Sequence, residues 1–112
     1  MKTIDIKNLT PHEVVIINGE TKLTIKPEAL SARVSSTIQV VGTLNIDGTP
    51  VDITQTTFGE VEGLPEEQEG VGYIVSRLVC EACPHRRDLY IPNGSVRDES
   101  GRIVGCTSLA QL

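Results

Sequence analysis

The sequence predicts an α+β domain, mostly antiparallel β-sheet built from β-hairpins with one or two short helices, and three observations predict it. Hydrophobic residues make up 38% of the chain and aromatic residues only 3%, so the core is built from Ile, Val and Leu, which favours sheet over bundle. Apolar and polar residues alternate in short runs, the period of a half-buried strand. Those runs are separated by Asn-Gly, Asp-Gly and Asp-x-x-Gly segments that supply hairpin turns. At 112 residues the expectation is one domain, long enough to bury a core without disulfides and small enough to gain from association. Within it we distinguish a hairpin region over residues 1–58, an acidic loop over 59–70 and a strand-helix-strand-hairpin region over 71–112.

Taken in order, Thr3 to Lys7 alternates with Ile4 and Ile6 on one face and reads as an opening strand at a sheet edge. Val14 to Ile17 is a second strand. Asn18 and Gly19 supply the positive φ values of a tight turn, and Leu23 and Ile25 alternate inward on the return strand. Pro27 stops that strand, and an irregular crossing through Ala29 and Leu30 leads to an extended run from Thr37 to Val41 that Gly42 bends. Leu44, Ile46, Asp47, Gly48, Val51 and Ile53 repeat the hairpin pattern, with a slightly longer loop because Pro50 cannot donate within a paired strand. Gly59 to Gly70 holds five glutamates and almost no apolar period, an exposed acidic loop. Beyond it Val71 to Val75 is a strand, and Ser76 caps a short helix whose inward face is Leu78, Val79 and Ala82 and which Pro84 ends. Leu89 to Ile91 is a brief strand closed by Pro92, Asn93 and Gly94. A last hairpin pairs Val96 with Ile103 and Val104 around Asp98 to Gly101.

Charge narrows the function classes. A net charge of -5 argues against a general nucleic-acid binder, which needs a basic field over many phosphates. No apolar run approaches the length of a bilayer span, and the polar start from Met1 to Lys7 lacks the apolar segment of a signal peptide, so a cytoplasmic location is expected. Three cysteines, an odd number, fit reduced thiols in that compartment.

The positive charge is sorted by type. Five of the six arginines lie between Tyr73 and Cys106, while all four lysines lie at or before Lys26. Arginine presents a planar fork of donors suited to phosphate and carboxylate, whereas lysine is more often a solvated point charge. Arg86, Arg87, Arg97 and Arg102 are therefore the candidate phosphate ligands. Asp88 or Asp98 would orient a guanidinium or accept a sugar hydroxyl, and Tyr90, Tyr73 or Phe58 would stack on a base. The plainer alternative is a set of surface ion pairs, each contributing about 0–1 kcal/mol.

Other constellations are weaker. Cys80, Cys83, His85 and Cys106 are the ligand types of a structural zinc site, but a second closely spaced pair is missing and buried thiols are the simpler reading. His12 and His85 have no nucleophile placed beside them by any motif. Asp88 and Asp98 are flanked by arginines that keep them ionised, which suits neither to general acid work at neutral pH. No motif requires a metal or another cofactor, and enzymatic activity is disfavoured.

The opening Asn8, Leu9, Thr10, Pro11, His12, Glu13, Val14, Val15 and Ile16 resembles the start of a family of small, largely uncharacterised proteins of bacteriophages, prophages and some bacterial genomes. Thr56 to Gly59, Tyr73 to Ser76, Arg87 to Leu89, Val96 to Asp98 and the run of Gly101, Ile103, Val104 and Gly105 fit the same pattern, which covers most of the chain. Where this chain has Cys80 and Cys83 the family pattern has small residues. The resemblance implies a phage-associated setting, in a host cytoplasm. Small phage proteins of this size include oligomeric sponges that sequester cyclic nucleotide or cyclic ADP-ribose signals uncleaved. The leading expectation is therefore a non-enzymatic, homo-oligomeric binder of a small anionic nucleotide. Two rivals stand beside it: a protein-interaction inhibitor of a host defence enzyme acting through Glu60 to Glu69, and a small nucleotide hydrolase.

Overall fold

A computed structural model describes residues 3–112; Met1 and Lys2, part of the polar start, lie outside the described residues. Among the described residues the chain forms β1 (Asp5–Asn8), β2 (Val14–Asn18), β3 (Thr21–Ile25), β4 (Arg33–Ile46), β5 (Thr49–Glu62), β6 (Val71–Ile74), α1 (Arg77–Ala82), β7 (Leu89–Arg97) and β8 (Ile103–Ala110). Six strands make one sheet in the order β1-β6-β7-β8-β2-β3, and β4 pairs only with β5. The protein is thus mostly β-sheet with antiparallel hairpins. The α+β label fits only in part, because one six-residue helix is the whole helical content of the described chain. The pairing is also less antiparallel than expected: β1–β6, β6–β7 and β2–β8 are parallel ladders. β6 and β7 are joined by a crossover through α1, whereas the partners of β1 and β2 are distant in sequence, so no turn residue announces them.

The six-stranded sheet is rolled. Its two outer strands meet where Asn8 bridges Pro27 just beyond β3, and the Glu28 N–H donates to the Asn8 carbonyl at 2.8 Å. The Asn8 side chain, fully buried, staples this seam. Its Nδ2 donates to the His12 and Ile25 carbonyls at 2.7 and 3.0 Å, and its Oδ1 accepts from the Thr10 N–H and hydroxyl at 3.0 and 2.6 Å. A buried amide with all these bonds made avoids the desolvation penalty of an unpaired one. Rolling gives the sheet two buried sides. One holds Val14, Ile74 and Cys106 with Ile6, Ile16 and Leu109 packed on them. The other, beneath α1, holds Leu9, Tyr73, Val75, Val79, Leu89 and Ile91.

Several local expectations hold. β1 is a sheet edge, Ser76 caps α1 by accepting from the Val79 N–H at 3.3 Å, and a register shift between Val40 and Gly42 marks the bend. Others are corrected. The first hairpin closes at Asn18↔Thr21, so Gly19, not Asn18, has positive φ, and Leu23 is exposed. The second hairpin turns tightly on Asp47 and Gly48, at φ 49 and 84, with Ile46 opposite Thr49 and Pro50 opposite Asn45. A tight turn is possible because hydrogen-bonded and non-bonded pairs alternate in an antiparallel ladder, so the residue next to the closing pair needs no N–H toward its partner. In α1 the buried residues are Val79 and Cys80, whereas Leu78 is exposed, because a single turn presents adjacent residues to the sheet. The brief strand expected from Leu89 to Ile91 does not stop at Pro92: β7 continues to Arg97, with Gly94 at φ 76 lying against Thr107 of β8.

β4 and β5 form an arm of fourteen residues a side. It takes in Gly59 to Glu62, which the sequence placed in the acidic loop. The radius of gyration is 17.5 Å, against about 13 Å for a compact chain of this length.

Candidate functional site

The arginine-rich third folds so that its charges fall at the two ends of β7. At the start, Arg86 and Asp88 form a two-pronged pair: Nε donates to Oδ1 and Nη2 to Oδ2, both at 2.8 Å. Nη2 also donates to the Pro65 carbonyl at 2.8 Å, and Glu67 lies 3.4 Å from Nε. Arg86 thus fastens the loop after β5 to the start of β7, with its side chain only 18% exposed. The hydrogen bonds that Arg86 donates to Asp88, opposed by partial burial, raise the Arg86 pKa above its ordinary value, so it is a cation at any working pH. Most of its donors are spent inside the protein, and Asp88 is committed to it.

Arg87 differs. Its side chain is exposed and has no hydrogen-bond or ion-pair partner among the described residues. Its backbone is held, because Gln111 Nε2 donates to the Arg87 carbonyl at 2.7 Å. It stands at an open groove of about 450 Å³ whose wall includes Cys80, Cys83, Leu89, Gln111 and Leu112 together with Glu81, which is ion-paired to Arg77 at 3.1 Å. The groove exists because α1 ends at Cys83, whose N–H donates back to the Cys80 carbonyl at 3.2 Å, and the chain then turns away through Pro84. An apolar floor with a cation on the rim is the form of a small-anion site.

The far end of β7 is a separate place, roughly 25 Å away along a nine-residue strand. Asp98 is used to build the hairpin turn: its carboxylate accepts from the Ser100 and Arg102 N–H groups at 2.9 and 3.0 Å. Arg97 Nη1 donates to the Gly101 carbonyl at 2.7 Å. Arg102 is exposed. Tyr90 is half-buried over Gly72, where its Cε2 occupies the space a Cβ would need, beside the tips of Ile4 and Ile6. It is absent from the groove lining. Tyr73 is core, and Phe58 is on the arm. The structure therefore brings Arg86, Arg87 and Asp88 together and leaves Arg97, Asp98, Arg102 and Tyr90 apart from them within one chain.

The cysteine set does not assemble. Cys80 belongs to the core under α1 and Cys106 to the opposite core, and no group of three or more metal-binding side chains forms among the described residues. Burial pushes the Cys80 thiol above its ordinary value, partly offset by a hydrogen bond from the Leu112 backbone, so it is a neutral thiol rather than a nucleophile. His12 and His85 are exposed. The acidic segment is divided: Glu60 and Glu62 sit on β5, flanking exposed Arg33 in a shallow depression, while Glu67 faces Arg86. Sequence reasoning missed Gln111 and Leu112 as groove residues. Nothing local signals them, since they arrive through the pairing of β8 with β7. No helix among the described residues is long and apolar enough to cross a membrane.

Compared with known protein families, with curated proteins and with solved structures, the chain has no match.

Proposed function

We propose that the protein is a non-enzymatic binder of a small anionic nucleotide that works as a homo-oligomer, and that in its setting it is a phage anti-defence sponge holding a cyclic nucleotide or cyclic ADP-ribose immune signal. The observation that carries this reading is Arg87, an exposed guanidinium without an internal partner, anchored through its backbone at the rim of a groove of about 450 Å³. That volume lies within the roughly 300–1,000 Å³ of small-molecule sites. Arg86 beside it is neutralised and locked by Asp88, which fixes the rim in place and leaves Arg87 as the cation free for a ligand. The neutral Cys80 thiol in the groove wall supports binding without covalent chemistry. Arg97, Asp98 and Arg102 would reach such a groove from a neighbouring copy. The phage setting and the class of signal rest on the resemblance of the Asn8 to Ile16 segment.

The test is to purify the protein from cells carrying candidate signalling cyclases, heat it and analyse what is released by mass spectrometry. An intact nucleotide from the wild type, with binding weakened about ten- to hundredfold by Arg87→Ala through loss of a charge-assisted contact, is the expected result. Release of a cleaved product would turn the assignment to the hydrolase rival. An empty wild-type protein would contradict the ligand reading.

A further inference from the structure

The β4–β5 arm leaves apolar side chains uncovered on a particular side. Paired residues of an antiparallel ladder share a face, so near the base Ile38 and Val40 lie on one face with Thr56 and Thr54, and Gln39 and Gln55 on the other. The register shift inserts Val41 and reverses the alternation of β4. Beyond it Ile53, Leu44 with Val51, and Ile46 with Thr49 occupy the face that Gln39 and Gln55 held. The opposite face carries Thr43 with Asp52, joined at 3.4 Å, and Asn45 with Pro50. The outer half of the arm is therefore amphipathic across its thickness. On its aliphatic face Leu44 and Ile46 are each 51% exposed, and Val51 and Ile53 each 40%.

Ile38 and Val40, 69% and 61% exposed, lie on the other face, so the continuous aliphatic stripe is Leu44, Ile46, Val51 and Ile53, on the order of 300 Å², at the size of the largest patch of an ordinary monomer. The occupant can be argued from charge. Between Val34 and Gly59 the only charged residues are Asp47 and Asp52, both acidic, which repels phosphate backbones and anionic lipid. The aliphatic face of the outer arm carries no charge, so a copy of itself meets no repulsion there, and both Asp52 side chains point away from the seam. A two-fold pairing sets each stripe against its equal.

We propose that the arm is the self-association element of this chain, and that a second copy covers the face formed by Leu44, Ile46, Val51 and Ile53. This starts from the homo-oligomer part of the proposed function and does not need its ligand part.

The test is native mass by light scattering, without nucleotide, across micromolar concentrations. The wild type is expected as a multiple of 12.1 kDa. Leu44→Lys with Val51→Glu puts a complementary charge pair on the aliphatic face, keeps the cross-strand attraction, and should yield monomer with an unchanged far-ultraviolet circular dichroism spectrum at 25 °C, the melt falling only by what association contributed. Asn45→Asp, on the opposite face, should keep the wild-type mass. A wild-type monomer would overturn the association and, with it, the homo-oligomer reading. An oligomer that survives the Leu44 and Val51 changes would overturn the arm as its surface while leaving that reading in place. Ligand release is measured separately and bears on neither result.

Discussion

Ile74 in β6 and Ile38 in β4 are both isoleucines on hydrogen-bonded strands, yet the first is fully buried and the second is 69% exposed. The rolled body and the arm are both built of paired strands that carry aliphatic residues; they differ in what lies over the sheet. In the body, closure at Asn8 and the packing of α1 give both sides of the sheet a cover. In the arm the ribbon has only its own ladder. Strand propensity is thus enough to draw the β4–β5 hairpin, but an apolar face becomes stabilising only where something buries it.

The largest expected effect sharpens this contrast. Ile74→Ala should destabilise the protein by about 2–5 kcal/mol, as truncation of a buried aliphatic side chain does, whereas Ile38→Ala should lie within about 0.5 kcal/mol of wild type, as for an exposed site. Urea denaturation of both variants measures it, and equal losses would mean the arm is buried against its own body.

Next comes the seam. Asn8→Ala removes the side-chain donor to the Ile25 carbonyl and the acceptor of the Thr10 N–H, while the His12 carbonyl keeps the Thr10 hydroxyl at 3.0 Å, at roughly 1–3 kcal/mol for each group left unpaired that water cannot reach. Amide exchange should rise in β1 and β3 while the β4–β5 ladder is unaffected. Uniform change across the chain would show that the seam is not a local staple.

The smallest effect concerns pH. The folded Cys80 pKa is raised above its ordinary 9.0 by burial, so the folded state holds this proton more tightly than the unfolded one. Its contribution is complete below about pH 9 and is lost as pH rises through the folded value. Cys80→Ala should remove that alkaline part of the decline seen in thermal melts from pH 8 to pH 10, and a decline unchanged by the variant would contradict the assignment.

How much of this was legible in the sequence divides along the same line. Turn chemistry is local, so the place of the Asp47-Gly48 turn, though not its tightness, the Asp98 to Gly101 turn and the Ser76 cap could be read directly. The parallel ladders could not, since β1 meets β6 and β2 meets β8 across most of the chain. Pro92 and Gly94 read as breakers because the sequence does not reveal that β8 holds β7 in line through them. For the site, arginine enrichment pointed to the C-terminal third of the chain, but partner choice is a tertiary matter. Asp88 occupies Arg86, the Asp98 turn is built from its own carboxylate, and only Arg87 of the group reaches the groove unengaged.

The most direct test of the contrast between body and arm is hydrogen exchange read by mass spectrometry on wild type and on the Leu44→Lys, Val51→Glu variant. The account predicts that amides of β4 and β5 near Leu44 and Val51 are protected in the associated wild type and exchange fast in the variant, while those of β6 and β7 are protected equally in both. Arm amides that exchange identically in the two proteins would contradict it.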